Sequence, residues 1–176
     1  QEAPQPTPTK PSFKRCTALI GTLTFLEVGC ATVHLRPKPE ACPQEAVKAM
    51  KQLDWRIKRS NVEIRVLGQL PDKPHMGTPI LIYGNGPVTG IADDERIRNL
   101  PPGTRLDGHL WVSAPGGRVF GRFTRAHLSD GTTLPVCLEL CGGLDIVGAR
   151  NEGPGPREGT VLMQEHVTVC AVDPWR

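Results

Sequence analysis

Apolar and polar positions alternate most regularly between residues 103 and 140, where three β-prone runs follow one another. Successive side chains of a strand point to opposite faces of its sheet, so each run predicts one buried face. Turn signals separate the runs at 114–117 and at 129–131, where Asp-Gly supplies the positive φ that hairpin turns need. The pattern predicts a three-stranded antiparallel meander.

The meander also predicts which side chains share a face. For the first and third strands, one apolar face is predicted to hold Leu106, Leu110, Val112, Leu134, Val136, Leu138 and Leu140. In the second strand we expect one face to carry Phe120, Arg122, Thr124, Ala126 and Leu128, and the other Val119, Gly121, Phe123 and Arg125. Arg122 and Arg125 are therefore expected on opposite faces. The one that is partly buried would need a carboxylate partner, for which Glu139 on the next strand is the candidate.

The rest of the chain predicts one helix and several further strands. Residues 42–53 predict a helix with Pro43 in its first turn, and its apolar stripe is Ala46, Val47, Met50 and Leu53. Strands are predicted within 61–69, 80–83, 88–92, 144–147 and 159–173. The alternation slips at 164–166, which predicts a bulge, and the composition of 151–159 predicts a mobile loop. The fold class is mainly β, a small antiparallel β-barrel or sandwich with one short N-terminal helix.

Composition and charge narrow the function classes. The chain contains 19 Gly and 18 Pro, which favours short strands and turns over long helices. The formal net charge is +3, and its basic residues are scattered among acidic ones rather than gathered in a stripe. A nucleic-acid-binding surface needs such a stripe, so we expect no nucleic-acid partner.

The N-terminal region divides into three segments before the folded domain. Residues 1–13 are polar and proline-rich, and we expect them to be disordered. In 14–29, Lys14 and Arg15 precede an apolar run of about a dozen residues, which is typical of a secretory signal and shorter than the ~20 residues that span a bilayer. Residues 30–41 are predicted to be an extended tether and 42–176 a single β-rich domain. The alternative for 14–29 is a core strand or helix of a cytosolic domain.

The division into segments determines which cysteines remain in the folded domain. The Gly29-Cys30 ending resembles a bacterial lipoprotein signal, in which the cysteine becomes the lipidated first residue of the mature protein. If cleavage occurs before Cys30, Cys16 is lost, the resemblance implies a lipid on Cys30, and an even number of cysteines is left in an exported domain. These four allow three pairings, of which we favour Cys42–Cys137 and Cys141–Cys170. The alternative is a metal site in which Cys170 and His166 complete the Cys137-x-x-x-Cys141 pair, although we expect no metal.

Catalytic motifs are missing from the sequence. It has no Gly-x-Ser-x-Gly elbow, no phosphate-binding loop, no His-Glu-x-x-His and no kinase signature set. The histidines are scattered singly, so we predict no catalytic residues, no cofactor and no enzyme activity. The candidate binding face is the odd-numbered side of the first meander strand, with Arg105, Asp107, His109 and Trp111. Its alternative is the solvated outer face of a half-buried sheet.

Several motifs are similar to those of short predicted bacterial lipoproteins of unknown function. They are the Glu-Val-Gly-Cys exit at 27–30, the Cys-Pro-Gln-Glu-Ala helix start at 42–46, Gly-Pro-Val-Thr-Gly at 86–90, the 103–111 segment, and Phe-Thr-Arg-Ala-His-Leu at 123–128 with its Asp-Gly and Pro-Val-Cys. Some members carry automated serine/threonine kinase labels. The glycine and apolar spacing of the meander also faintly resembles the β-barrel domain of secretion-channel proteins of the VirB10 type.

The resemblance implies a membrane lipid at Cys30 and a location in the bacterial cell envelope, periplasmic or anchored to the outer membrane. We therefore expect a non-enzymatic lipoprotein whose β-domain binds or scaffolds a protein partner there. Two alternatives remain open, an accessory or regulatory module of a serine/threonine kinase system and a small metal-dependent or hydrolytic enzyme.

Overall fold

The structure is a computed structural model that describes residues 36–57, 59–73, 77–92, 100–112, 117–143 and 145–176. The predicted leader, the predicted signal segment with Cys16, and the start of the predicted tether with Cys30 lie outside the described residues. The helix is α1 (Gln44–Gln52). The strands are β1 (Asn61–Val66), β2 (Ile80–Gly84), β3 (Gly86–Ala92), β4 (Thr104–Val112), β5 (Arg118–His127), β6 (Thr133–Leu140), β7 (Ala149–Arg150), β8 (Gly153–Pro154), β9 (Thr160–Gln164) and β10 (His166–Ala171).

Six of the strands close into an antiparallel barrel in the order β4-β3-β1-β10-β6-β5, and β5 pairs with β4 to complete the ring. The short β7 extends the sheet from β5. A second, three-stranded sheet has the order β2-β9-β8. The sequence-based fold class is therefore confirmed in its barrel form. The predicted meander is the β4-β5-β6 part of that barrel.

The barrel interior is filled by aliphatic side chains around one phenylalanine. Phe123 is fully buried, and its ring lies against Gly90 of β3 and Gly108 of β4. A Cβ added at Gly108 would stand 2.5 Å from the backbone oxygen of Arg122, so only glycine fits where these strands approach. The largest other interior side chains include Ile64, Leu106, Leu110, Leu138 and Leu140.

Helix α1 covers the outer face of β6. Its buried residues are Ala46, Ala49 and Met50, so Ala49 joins the predicted stripe, while Val47 and Leu53 are only partly buried. The Met50 sulfur accepts a 3.4 Å hydrogen bond from the backbone of Cys137. This cover, together with Arg176 over Glu139, explains why both faces of β6 are buried from Val136 to Leu140.

The predicted faces of β5 are wrong beyond its middle, because a β-bulge interrupts the strand. Asp107 pairs with Arg125 and Gly108 with Phe123, so Thr124 is an extra residue on β5. Before the bulge the odd-numbered residues face the core, and after it Ala126 does. A single inserted residue exchanges inward and outward positions, which simple alternation cannot anticipate.

The last predicted strand divides between the two sheets. The slip at 164–166 is the point where β9 ends and β10 begins, on either side of Glu165. The predicted loop at 151–159 contains β8, which pairs with β9. Tyr83 on β2 joins the small sheet to the barrel, since its buried hydroxyl donates a 2.7 Å hydrogen bond to the carbonyl of Val66.

Candidate functional site

The residues of the candidate binding face lie on the outside of the barrel, as their alternation predicts. Each one stands opposite an outward residue of β5. The cross-strand pairs are Arg105 with His127, Asp107 with Arg125, His109 with Arg122, and Trp111 with Phe120. The predicted face is therefore one half of a two-stranded surface, and β5 supplies the other half.

The bulge at Thr124 brings the two arginines of β5 to the same side of the barrel. Arg122 precedes the bulge and Arg125 follows it, and both line one cavity on the outer surface. Without the extra residue, a spacing of three would place them on opposite faces. The expectation of opposite faces is therefore wrong, and the site gains a second cation that sequence alternation does not reveal.

Arg122 is the centre of this surface. Its side chain is only 8% exposed, and its guanidinium lies 5.9 Å from the ring centre of Trp111 and 5.2 Å from that of Trp175. Nη1 donates a 2.8 Å hydrogen bond to Glu40, and Nη2 donates a 2.7 Å hydrogen bond to the carbonyl of Lys38. Such cation–π contacts are strongest where water is excluded.

Burial lowers the pKa of Arg122, and the negative charges of Glu40 and Glu139 oppose that effect. The positive charge of Arg122 is therefore stabilised by these two carboxylates rather than by solvent. Among the described residues, Arg122 Nε has no hydrogen-bond partner. A buried guanidinium with one unused donor is an incomplete recognition site, because buried donors are normally paired.

Glu139 has a different main partner from the one predicted. It lies across the strand pair from Arg122, but its carboxylate accepts hydrogen bonds from Arg176 Nε at 2.5 Å and from the Arg176 backbone at 3.2 Å. The direct carboxylate partner of Arg122 is Glu40, from the predicted tether. The prediction of a buried arginine is therefore right. Glu139 acts on Arg122 through its negative charge, but the direct hydrogen bond is accepted by Glu40, which is far from β5 in sequence and folds over it.

The surface forms an open cavity of about 280 Å³. Its lining combines aromatic rings, two arginines and two carboxylates: Glu40, Asp107, Gly108, His109, Trp111, Arg122, Thr124, Arg125 and Trp175. We name this cavity the Trp111–Trp175 groove. The ring of His109 lies 4.6 Å from that of Trp111 at a tilted angle, which widens the aromatic wall.

Among the described residues, the carboxylates of the groove have ion-pair partners, whereas one of its two arginines does not. Glu40 is engaged by Arg122, and Asp107 by Arg105 at 3.3 Å and by His127 at 2.7 Å. Within the part of the chain that the structure describes, Arg125 forms no ion pair. The groove therefore offers a free guanidinium beside an aromatic wall, which suits a ligand with an anionic group and an apolar body.

His127 links three strands beside the groove. Its Nε2 lies 2.7 Å from Asp107, and its Nδ1 lies 2.9 Å from the Thr133 hydroxyl. This connectivity has the order of an acyl-transfer triad. Thr133, however, is an exposed residue at the start of β6, and neither it nor His127 lines the groove. We assign the chain of contacts to holding β4, β5 and β6 together.

The structure forms disulfides between Cys42 and Cys137 and between Cys141 and Cys170. These are the two pairs favoured from the sequence. The alternative metal set with His166 is not formed, because its cysteines have no free thiolates. Among the described residues, no group of three or more His, Cys, Asp or Glu side chains is placed to hold a metal ion.

The last part of the predicted tether lies against the barrel. Arg36 stands over the ring of Phe120 at 5.5 Å, and Glu40 forms a β-bridge with Trp175. Cys30, the residue predicted to carry the lipid, lies outside the described residues. Within the described part of the chain, no helix has the length and apolarity needed to cross a bilayer.

Compared with the models of known protein families and with curated proteins, the chain matches none. The chemistry of the Trp111–Trp175 groove and the sequence motifs are therefore what point to a function.

Proposed function

We propose that this protein is a lipoprotein of the bacterial cell envelope, anchored through Cys30, whose β-barrel binds a protein partner without catalysing a reaction. The partner docks on the outer face of β4 and β5. The observation that carries the proposal is the Trp111–Trp175 groove with the buried Arg122 at its centre. The motifs at 27–30 and 42–46 support the anchored location.

The groove has the composition of a protein-binding hot spot. Such sites are enriched in Trp and Arg, are well packed at the centre and are surrounded by polar residues. Here Trp111, Trp175 and Arg122 form the centre, while His109 and Arg125 stand at the exposed rim. A surface that served only to face water would have no need to hold a cation between two large rings.

The location is supported by the two disulfides. Disulfides persist in oxidising compartments and are rare in the cytosol, so these bonds are compatible with a position outside the cytoplasm. The proposal includes both a periplasmic position and anchoring to the outer membrane. The tether would place the groove close to the lipid surface, because its last residues lie against the same face.

Two measurements test the proposal. Intact-mass spectrometry of the mature protein should show a lipid adduct on Cys30 and the hydrogen loss of two disulfides. A photo-crosslinking amino acid at His109 should capture one discrete partner in intact cells, and that capture should disappear in the Trp111→Ala background. The matched control places the crosslinker at Glu63, an exposed residue of β1 outside the groove. Equal capture at both positions, or a mature chain without lipid, would refute it.

A further inference from the structure

We infer that the Trp111–Trp175 groove recognises carboxylates of an extended acidic peptide, and that the chain's own residues 36–40 occupy its Arg122 half in this structure. The inference rests on the proposed function, since it names the chemistry by which the partner is bound. It assigns Arg122 and Arg125 as the carboxylate-binding residues. It also assigns Glu40 as an internal competitor.

The internal segment shows how a peptide lies on the groove. Residues 36–40 follow the outer face of β5, from Phe120 at one end to Arg122 at the other. The segment presents a backbone carbonyl from Lys38 and a carboxylate from Glu40 to the same guanidinium. Backbone and side-chain recognition together are typical of extended-peptide binding.

Glu40 is held in a way that allows exchange. Its side chain is 65% exposed and, among the described residues, accepts one hydrogen bond, from Arg122 Nη1. Its backbone carbonyl separately accepts a 2.9 Å hydrogen bond from the Trp175 amide, so the carboxylate can leave without freeing the segment at once. A carboxylate from another chain can therefore compete for Arg122 by side-chain rotation alone.

The groove has capacity that the internal segment does not use. Arg125 has no ion-pair partner among the described residues, and Arg122 Nε has no hydrogen-bond partner there. Both belong to the wall of the same 280 Å³ cavity, beside Trp111. A peptide with two acidic side chains would satisfy both arginines, whereas Glu40 alone reaches only one.

Competition predicts a measurable coupling. A ligand that must displace Glu40 binds more weakly than one that finds Arg122 open, so removing the Glu40 charge should raise peptide affinity. We expect an increase of about tenfold in Glu40→Gln, the size of effect typical of one charged contact. Bound peptide should in turn weaken the hold on segment 36–40, because coupling is reciprocal.

The test uses the full chain with both disulfides formed. The probe is the peptide acetyl-Pro-Lys-Pro-Glu-Ala-Glu-amide, which copies residues 37–41 and adds a second glutamate to reach Arg125. Binding is followed by NMR through the Arg122 Nε–H and Trp111 indole signals, up to about 10 mM, above the millimolar effective concentrations of tethered segments. The comparison probes are the peptide with both glutamates changed to glutamine, and sodium acetate.

The expected result is that Glu40→Gln binds the acidic peptide about tenfold more tightly than wild type, and that the glutamine peptide binds neither protein. Glu158→Gln, a matched change at an exposed loop glutamate, should behave as wild type. Adding Arg125→Met to the Glu40→Gln variant, at an exposed position with little risk to folding, should weaken its binding of the acidic peptide severalfold. Adding Arg122→Met should abolish it.

Three outcomes would overturn the inference. They are equal affinity for the acidic and glutamine peptides, no binding to Glu40→Gln, and acetate binding as tightly as the peptide, which would mean a site for small anions only. A chain that crosslinks a partner at His109 but ignores the acidic peptide would overturn this inference and leave the proposed function standing. A chain that binds the acidic peptide but captures no partner at His109 would overturn the proposed function and leave this inference standing.

Discussion

Replacing Glu40 by alanine removes the exposed half of an ion pair whose other half is buried. The Arg122 side chain is 8% exposed and that of Glu40 is 65% exposed. Without Glu40, the guanidinium keeps the Lys38 carbonyl, the two tryptophan rings and the negative charge of Glu139. The change should therefore be more costly than the exposure of Glu40 suggests, because it leaves a buried charge less well compensated.

The size of the effect lies between two limits. Breaking a fully buried pair costs about 3–5 kcal/mol, and an exposed pair contributes about 0.2–1 kcal/mol. Water can reach the position that Glu40 leaves, so we expect Glu40→Ala to lower the free energy of unfolding by about 1–2 kcal/mol. Arg122→Met removes the buried charge and returns Glu40 to water, so it should cost less, below about 1 kcal/mol.

The assay is urea unfolding of the oxidised chain for wild type, both single variants and the double variant. The double variant should match Arg122→Met, so the cycle should give a coupling of about 1–2 kcal/mol. Most of that coupling should persist in about 1 M salt, which screens exposed pairs far more than buried ones. Glu158→Ala serves as the control and should stay within about 0.5 kcal/mol of wild type.

A different role for Glu40 would follow if Glu40→Ala matched Glu158→Ala while Arg122→Met cost more than about 2 kcal/mol. That result would mean that the tryptophan rings, the Lys38 carbonyl and the charge of Glu139 hold Arg122. Glu40 would then have no energetic part in the site, and the proposed competition would lose its basis.

Three further predictions concern stability. Tyr83→Phe leaves the buried carbonyl of Val66 without its donor and should lower the free energy of unfolding by about 1–3 kcal/mol, measured by urea unfolding. Burial and the charge of Glu165 raise the pKa of Tyr83, so the wild type should lose stability as pH rises above about 10, where the unfolded chain ionises, and Tyr83→Phe should not. Tyr83 is the sole tyrosine, so difference absorbance follows this residue alone. The backbone amide of Thr132 lowers the pKa of Asp130, so its stabilisation should be present above about pH 4 and fade as pH falls further. Urea midpoints of Asp130→Ala and wild type should then converge in acid, whereas a constant difference would contradict this assignment. Removing the Cys42–Cys137 disulfide, which closes 95 residues, should lower the free energy of unfolding by about 4.7 kcal/mol, and removing Cys141–Cys170, which closes 29, by about 3.6 kcal/mol. Urea unfolding of the two cysteine-to-serine double variants compares these losses. A larger loss for the shorter loop would contradict the loop-entropy explanation.

The local patterns of the sequence determined the helix and the long strands of this fold. Alternation in 104–112 and 133–140 placed Leu106, Leu110, Leu138 and Leu140 in the interior, where the structure has them. The 3.6-residue spacing of Ala46 and Met50 determined the one helix of the described chain. Period and turn chemistry act over a few residues, so they can be recognised without knowing which elements meet.

Alternation in the sequence predicted only one half of the candidate site, the half on β4. Arg105, Asp107, His109 and Trp111 share an outward face because they lie on one uninterrupted strand. The groove needs more than that strand. Arg125 joins Arg122 only because of the bulge at Thr124, and a bulge is set by how neighbouring strands pair rather than by the residues of the strand itself.

The tertiary structure alone decided the partners of the buried arginine. Glu40 stands 82 residues before Arg122 in the chain, and Trp175 lies near its far end, yet both close over the same guanidinium. Contacts at such separation leave no periodic trace in the sequence, because they depend on how the barrel brings distant segments of the chain together. Sequence thus determined the strands and one face of the site, and the closed barrel determined what that face encloses.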